Sequence, residues 1–200
     1  MKKFLLCLAV CTFAISGTCF AQSKYDIKEA KKQAKVLTKQ NWYSNDHHSI
    51  ESHLVSFYEL EDECQIFIGM ASDYASEKVA KNAARRDAMR ACVELASSEF
   101  KGVSDELEGK LDSETIDDLT MASTSKFEGK VTQGMNVKFN LFQNNKGKYS
   151  CQAYCYIDKK QFNEAIKSAW EEAAEQAVKD AKASAEFSKE ITNLINNHGF

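Results

Sequence analysis

VTQGMNVKFNLFQNNKGKYSCQAYCYID, residues 131–158, alternates apolar and polar side chains twice, with a polar break in the middle. Val131, Met135, Val137, Phe139 and Leu141 alternate with Thr132, Gly134, Asn136, Lys138 and Asn140. After QNNKGK, Tyr149, Cys151, Ala153, Cys155 and Ile157 alternate with Ser150, Gln152, Tyr154 and Tyr156. A period of two is the period of a strand with one face buried, and Asn-Asn-Lys-Gly supplies the turn residues, so the stretch predicts an antiparallel hairpin beginning near Val131. Upstream, CQIFIGM at 64–70 alternates in the same way. It puts Cys64, Ile66, Ile68 and Met70 on one face and Gln65, Phe67 and Gly69 on the other, which predicts a third strand whose first set points inward.

The remaining chain reads as helix. Residues 23–40 carry Ile27, Ala30, Ala34 and Leu37 at helical spacing. NWYSND ends that helix, and Ser49 can cap a second one bearing Ile50, Leu54, Phe57 and Tyr58. Ser72 or Asp73 is expected to cap a long helix that turns Val79, Ala80, Ala83, Ala84, Ala88, Ala91, Cys92 and Leu95 inward, with small residues that permit close packing. Residues 102–126 form an acidic excursion with Leu107, Leu111, Ile116 and Leu119 at helical spacings, expected to be a solvated helical arm. Residues 161–187 predict one long Ala-rich helix (Ile166, Trp170, Ala173, Ala177, Ala181), followed by a short tail at 191–195. The expected class is α+β: a small three-stranded, mainly antiparallel sheet packed with long Ala-rich helices. A helical lead-in (22–62), a β-α-β-β core (64–158) and C-terminal helices (159–200) are expected to make one domain.

The first residues predict an address. MKKFLLCLAVCTFAISGTCFAQ places Lys2 and Lys3 before an apolar run from Phe4 to Ile15 and small residues ending at Ala21, the order of a secretory signal cleaved after residue 21. Ser16, Gly17 and Thr18 make a poor lipobox before Cys19, so an unlipidated start at Gln22 is expected. Cleavage removes Lys2 and Lys3, taking Lys+Arg from 26 to 24 against 29 acidic residues, a net charge near −5. A mildly acidic chain lacks the basic stripe that neutralising phosphates requires, so nucleic acid is an unfavourable partner. No later apolar stretch approaches the length of a membrane span. The chain has no Pro, where average usage would give roughly ten, so its long helices meet no breaker.

Chemistry-bearing residues are few. Four cysteines lie beyond residue 21: Cys64, Cys92, Cys151 and Cys155. Cys151 and Cys155 lie about 13 Å apart along one strand and cannot bond each other. A disulfide would join Cys64 or Cys92 to one of them, or Cys64 to Cys92; buried free thiols are the alternative. NDHHSIESH, residues 45–53, gathers His47, His48 and His53. His53 lies five and six residues from the other two, spacings that do not stack on one helix face, so a polar connection is expected and these three stand only as weak metal ligands. No nucleophile motif or Gly-rich phosphate loop is present, and no cofactor is expected. Phe67, Tyr154 and Tyr156 are expected on the sheet's outward face, either as a binding platform or beneath a terminal helix.

A strand ending in Gly69, the helix ASDYASEKVAKNAARRDAMRACVELA, a polar excursion and a closing hairpin together resemble the lipoprotein-20 family of bacterial envelope proteins over residues 24–165. The segment AKKQAKVLTKQNWYSNDHHSIESHLVSFYEL is similar to the helical lead-in of exported proteins of that kind in Gram-negative anaerobes. The resemblance implies a non-enzymatic component of the periplasm or outer-membrane surface and carries over no functional residue. The missing lipobox departs from the lipidated members and bears against outer-membrane anchoring. The expected function is therefore non-catalytic: self-association or binding of an envelope protein or glycan, with any partner surface on residues 104–120. The alternative is a periplasmic enzyme or metal-binding protein built on residues 46–53.

Overall fold

The computed structural model describes residues 27–105, 113–179 and 193. The signal-like residues 1–21, the tip of the acidic excursion including Leu107 and Leu111, and most of the tail after 179 lie outside them. Helices α1 (Ile27–Lys39) and α2 (Ile50–Tyr58) lead through a 3-10 turn into β1 (Cys64–Tyr74) and α3 (Glu77–Asp105). Next come α4 (Ser113–Gly134), the hairpin β2 (Asn136–Asn145) and β3 (Lys148–Asp158), and α5 (Lys159–Lys179). Among the described residues this is an α+β fold of five α-helices and one antiparallel sheet in the order β1-β3-β2.

The hairpin closes on a two-residue turn. Asn145 pairs with Lys148, and Lys146 and Gly147 both adopt positive φ, 53° and 79°. That is the type I′ geometry whose twist matches the strands. The strand does not begin at Val131, because residues 131–134 finish α4. Leu119, Ser123, Phe127 and Val131 are buried at a stride of four, and Val131 to Met135 fits a helical stride as well as a strand alternation. The helical reading won because α4 has a groove to fill: Phe127 packs edge-on against Phe162 of α5 (5.4 Å) and against Phe100 of α3 (6.1 Å). The acidic excursion is accordingly no solvated arm over its described part. Thr115 and Leu119 are buried, and Ser104 Oγ lies 2.7 Å from Thr120 Oγ1, joining α3 to α4.

The face of β1 is the reverse of the expected one. Phe67, Gly69 and Ala71 face α3, beside Cys155, Ala153 and Cys151 of β3, their register partners. Gly69 explains the choice. A Cβ there would sit 1.9 Å from the Ala84 carbonyl oxygen and 2.3 Å from the Ala88 nitrogen, so the helix backbone rests on the strand where no side chain intervenes. The stripe that makes this contact is Ala80, Ala84, Ala88, Cys92 and Ala96, all fully buried; Val79, expected inward, is exposed. The other set, Ile66, Ile68 and Met70, is apolar yet only Ile66 packs into a core, leaving Ile68 and Met70 exposed. The chain turns from β1 into α3 later than expected. Asp73 takes a positive φ of 66° at a register shift, and Ser76 rather than Ser72 or Asp73 caps α3, its Oγ accepting from Val79 N–H at 3.4 Å.

The sheet thus lies between two helical layers. α3, α4 and α5 bury one face around Phe100, Phe127 and Trp170. α1 and α2 bury the other, where Ala30, Ala34, Leu37, Leu54 and Phe57 meet Phe139, Leu141 and Tyr154. Ser49 caps α2 as expected, its Oγ accepting from Ser52 N–H at 3.1 Å. No helix among the described residues is long and apolar enough to cross a membrane.

Candidate functional site

The expected aromatic platform does not exist as one surface. Phe67 lies under α3 in one core, and Tyr154 is fully buried in the other. Tyr154 stacks on Phe139 at 4.2 Å and 15°, meets Phe57 edge-on at 5.1 Å, and gives its hydroxyl proton to Gln152 Oε1 at 2.7 Å. Tyr156 is half-buried. Terminal-helix cover, one of the two expectations, therefore describes Tyr154.

The cysteines are equally occupied by packing. All four are buried free thiols. Burial pushes Cys92 and Cys151 up to about 12 and Cys155 to about 11, which keeps them neutral and unreactive. Cys64 pairs in register with Asp158 and so sits on the opposite face from Cys151 and Cys155, not beside them.

The histidine stretch forms a polar knot. His53, nine-tenths buried on α2, stacks its ring on Phe139 at 4.5 Å, and the ring of His48 meets it edge-on at 5.5 Å. His53 Nε2 lies 2.7 Å from Asp46 Oδ1 and 3.2 Å from Ser44 Oγ. Ser44 Oγ donates to the same Asp46 oxygen at 2.9 Å, and His48 N–H donates to it at 3.0 Å. The hydrogen bond from His53, with the donations from His48 N–H and Ser44, holds the Asp46 carboxyl at about 2. Ser, His and Asp are together here, but both oxygens converge on one ring nitrogen. A proton relay needs the hydroxyl and the carboxylate on different nitrogens, so this arrangement cannot activate Ser44 as a triad would. His47 is exposed, and no group of three or more His, Cys, Asp or Glu among the described residues is arranged to hold a metal ion.

What the knot does is fix a loop, and the loop walls a cleft. Asn41, at φ 62°, ends α1 in the left-handed region. Tyr43 then bridges to the edge of β2, exchanging backbone hydrogen bonds of 2.8 Å with Phe142 in both directions. Beyond Tyr43 the loop leaves that edge and opens a cleft of about 580 Å³ between residues 44–46, the first turns of α3 and residues 138–142 of β2. Lys78 and Lys81 enter from α3, and Lys138 enters from the irregular step in β2 between Val137 and Phe139.

The cleft's two carboxylates are already engaged within the protein. Glu77 accepts from the Tyr43 hydroxyl at 2.7 Å through Oε1 and from Asn45 Nδ2 at 3.0 Å through Oε2. Burial and this contact raise the Tyr43 phenol to about 12, so it remains a donor. Asp46 belongs to the His53 knot. With both oxygens so engaged, Glu77 makes no ion pair within 4.0 Å with Lys81, its natural i,i+4 partner. Among the described residues, no carboxylate lies within 4.0 Å of the Lys78, Lys81 or Lys138 ammonium groups.

The sequence signalled half of this site. The unusual clustering at 45–53 marked the loop, but the lysines lie 32 to 93 residues beyond Asn45 or Asp46 and only the β2 edge and α3 bring them there. No protein-family model matches the chain, and neither a curated protein nor a solved structure matches it.

Proposed function

We propose that this is an exported, non-catalytic protein of the cell envelope that works by binding an anionic partner in the cleft between residues 44–46, α3 and β2. The observation that carries the reading is the set of three unpaired ammonium groups in a cleft whose carboxylates are tied to Tyr43, Asn45 and His53. Lys78, Lys81 and Lys138 are exposed residues lining the cleft from two elements, and without a carboxylate partner they leave attraction available to a ligand, in a volume typical of ligand sites. The signal-like N-terminus and the resemblance to the lipoprotein-20 family support the envelope as its place of action. The single-nitrogen geometry of the His53 knot favours binding over acid–base chemistry.

Cell fractionation tests the location, and cosedimentation with isolated envelopes tests the site. The wild-type protein is expected in the periplasmic or outer-membrane fraction and to sediment with envelopes in a salt-sensitive way. A Lys78→Gln/Lys81→Gln/Lys138→Gln variant is expected to remain largely in the supernatant. Unchanged sedimentation of that variant would remove the cleft from the account.

A further inference from the structure

We infer that the cleft takes an acidic sugar, a polyhydroxylated ring bearing a single carboxylate, as it occurs along an anionic glycan; this rests on the binding role proposed above. The lining is mixed in a way that discriminates among anions. Lys78, Lys81 and Lys138 offer point charges spread over two elements, with no arginine fork among the lining residues. Glu77 and Asp46 share the same walls. A compact multiply charged anion such as phosphate would be held by the ammonium groups but repelled by both carboxylates at close range. A ligand with one carboxylate per ring and several hydroxyls meets less of that repulsion, because it brings a single charge and can turn hydroxyls toward the carboxylates. Its carboxylate pairs with the lysines while its hydroxyls donate to carboxylate and amide oxygens.

Asp46 is set up for that second task. Every hydrogen bond that the described residues give its side chain lands on Oδ1, from Ser44, His48 N–H and His53. Oδ2 is left to accept from a ligand, and the shift of the Asp46 carboxyl to about 2 is consistent with it remaining an ionised acceptor. Asn45 and Asn140 supply amide groups on either side. An extended acidic peptide fits less well, because the Tyr43–Phe142 bridge already occupies the β2 edge at the mouth of the cleft.

Isothermal titration of the purified full chain with trigalacturonate, its neutral counterpart trigalactose, inorganic phosphate and a glutamate-rich peptide tests the inference. Trigalacturonate is expected to bind at least tenfold more tightly than the other three. The three Lys→Gln substitutions are expected to weaken it about eightfold, the product of three exposed ion-pair contributions of about twofold each. Tyr43→Phe removes no cation but frees Glu77 Oε1 to reach Lys81, and is expected to weaken binding about twofold. Phosphate or the peptide binding as tightly as trigalacturonate, or trigalactose matching it, would overturn the sugar-acid assignment. If no probe binds while envelope sedimentation still depends on the three lysines, the assignment falls and the proposed function stands. If sedimentation is independent of them, both fall.

Discussion

Gly69→Ala concentrates the packing logic of this fold into one methyl group. The added Cβ would lie 1.9 Å from Ala84 O, 2.3 Å from Ala88 N and 2.9 Å from Ala88 Cβ. Two of those three atoms are helix backbone, so no rotamer change relieves the contact, and the shortest falls more than an ångström below the 3.0 Å that real Cβ contacts respect. α3 must therefore lift off the strand. Lifting it by about 1 Å forfeits a quarter to a half of each dispersion contact along the stripe from Ala80 to Ala96. Overpacking a core by a methylene costs about 1–3 kcal/mol. Because the obstacle here is backbone, the expected cost is about 3 kcal/mol or more, which lowers the melting temperature by roughly 6–12 °C for a chain of this size. Urea unfolding followed by circular dichroism gives the free energy, and a thermal melt gives the shift. Gly102→Ala is the matched control on the same helix, where a Cβ meets nothing within 4 Å. It is expected to stabilise by about 0.5–1 kcal/mol through helix propensity. A Gly69→Ala protein as stable as wild type would refute the close helix–strand contact and the face assignment of β1 with it.

Tyr154→Ala, which empties a fully buried stacked site, is expected to cost about 3–5 kcal/mol in chemical denaturation. Tyr156→Ser, at a half-buried position, is expected to cost far less; equal costs would contradict the layer arrangement. The Asp46 carboxyl, lowered from 3.8 to about 2 by its His53 contact, contributes to stability in full above about pH 4. That contribution is lost as pH falls through about 2, the sign expected for a depressed acid. An NMR titration of its side-chain carbon checks this, and His53→Phe is expected to return the midpoint toward the ordinary value. The buried thiols, raised to between about 11 and about 12 at Cys92, Cys151 and Cys155, are expected to resist iodoacetamide at pH 8 until the protein is unfolded. Rapid labelling of the native protein would show that the helical layer over β3 opens.

The hairpin was legible because two period-2 runs flank a turn that needs positive φ at two residues, and Gly147 marks one of them. Ser49 was legible as a cap for a similarly local reason. The face of β1 was not, because Ile66, Ile68 and Met70 outnumber the apolar residues on the face that packs. Hydrophobicity favoured the wrong side, and only the need for a bare backbone at Gly69 decides it. The start of β2 failed where two periods coincide, since Val131 and Met135 satisfy both a stride of four and an even spacing. The candidate site was the least legible part. Ser44, Asp46 and His53 are neighbours in sequence, whereas Lys78, Lys81 and Lys138 carry no motif and become a group only through tertiary structure. The pairing of Glu77 with Tyr43, which leaves Lys81 unpaired, spans 34 residues and has no local signal at all.

The most direct test of the binding role compares two variants of identical net charge in the envelope sedimentation assay. One carries Gln at Lys78, Lys81 and Lys138 in the cleft. The other carries Gln at Lys35, Lys39 and Lys101, exposed positions on α1 and α3 that do not line it. Long-range attraction responds to net charge and would be reduced alike in both, whereas a site responds only to its own groups. The cleft variant is expected to lose envelope binding while the second retains it. Equal loss in both would contradict a localised site.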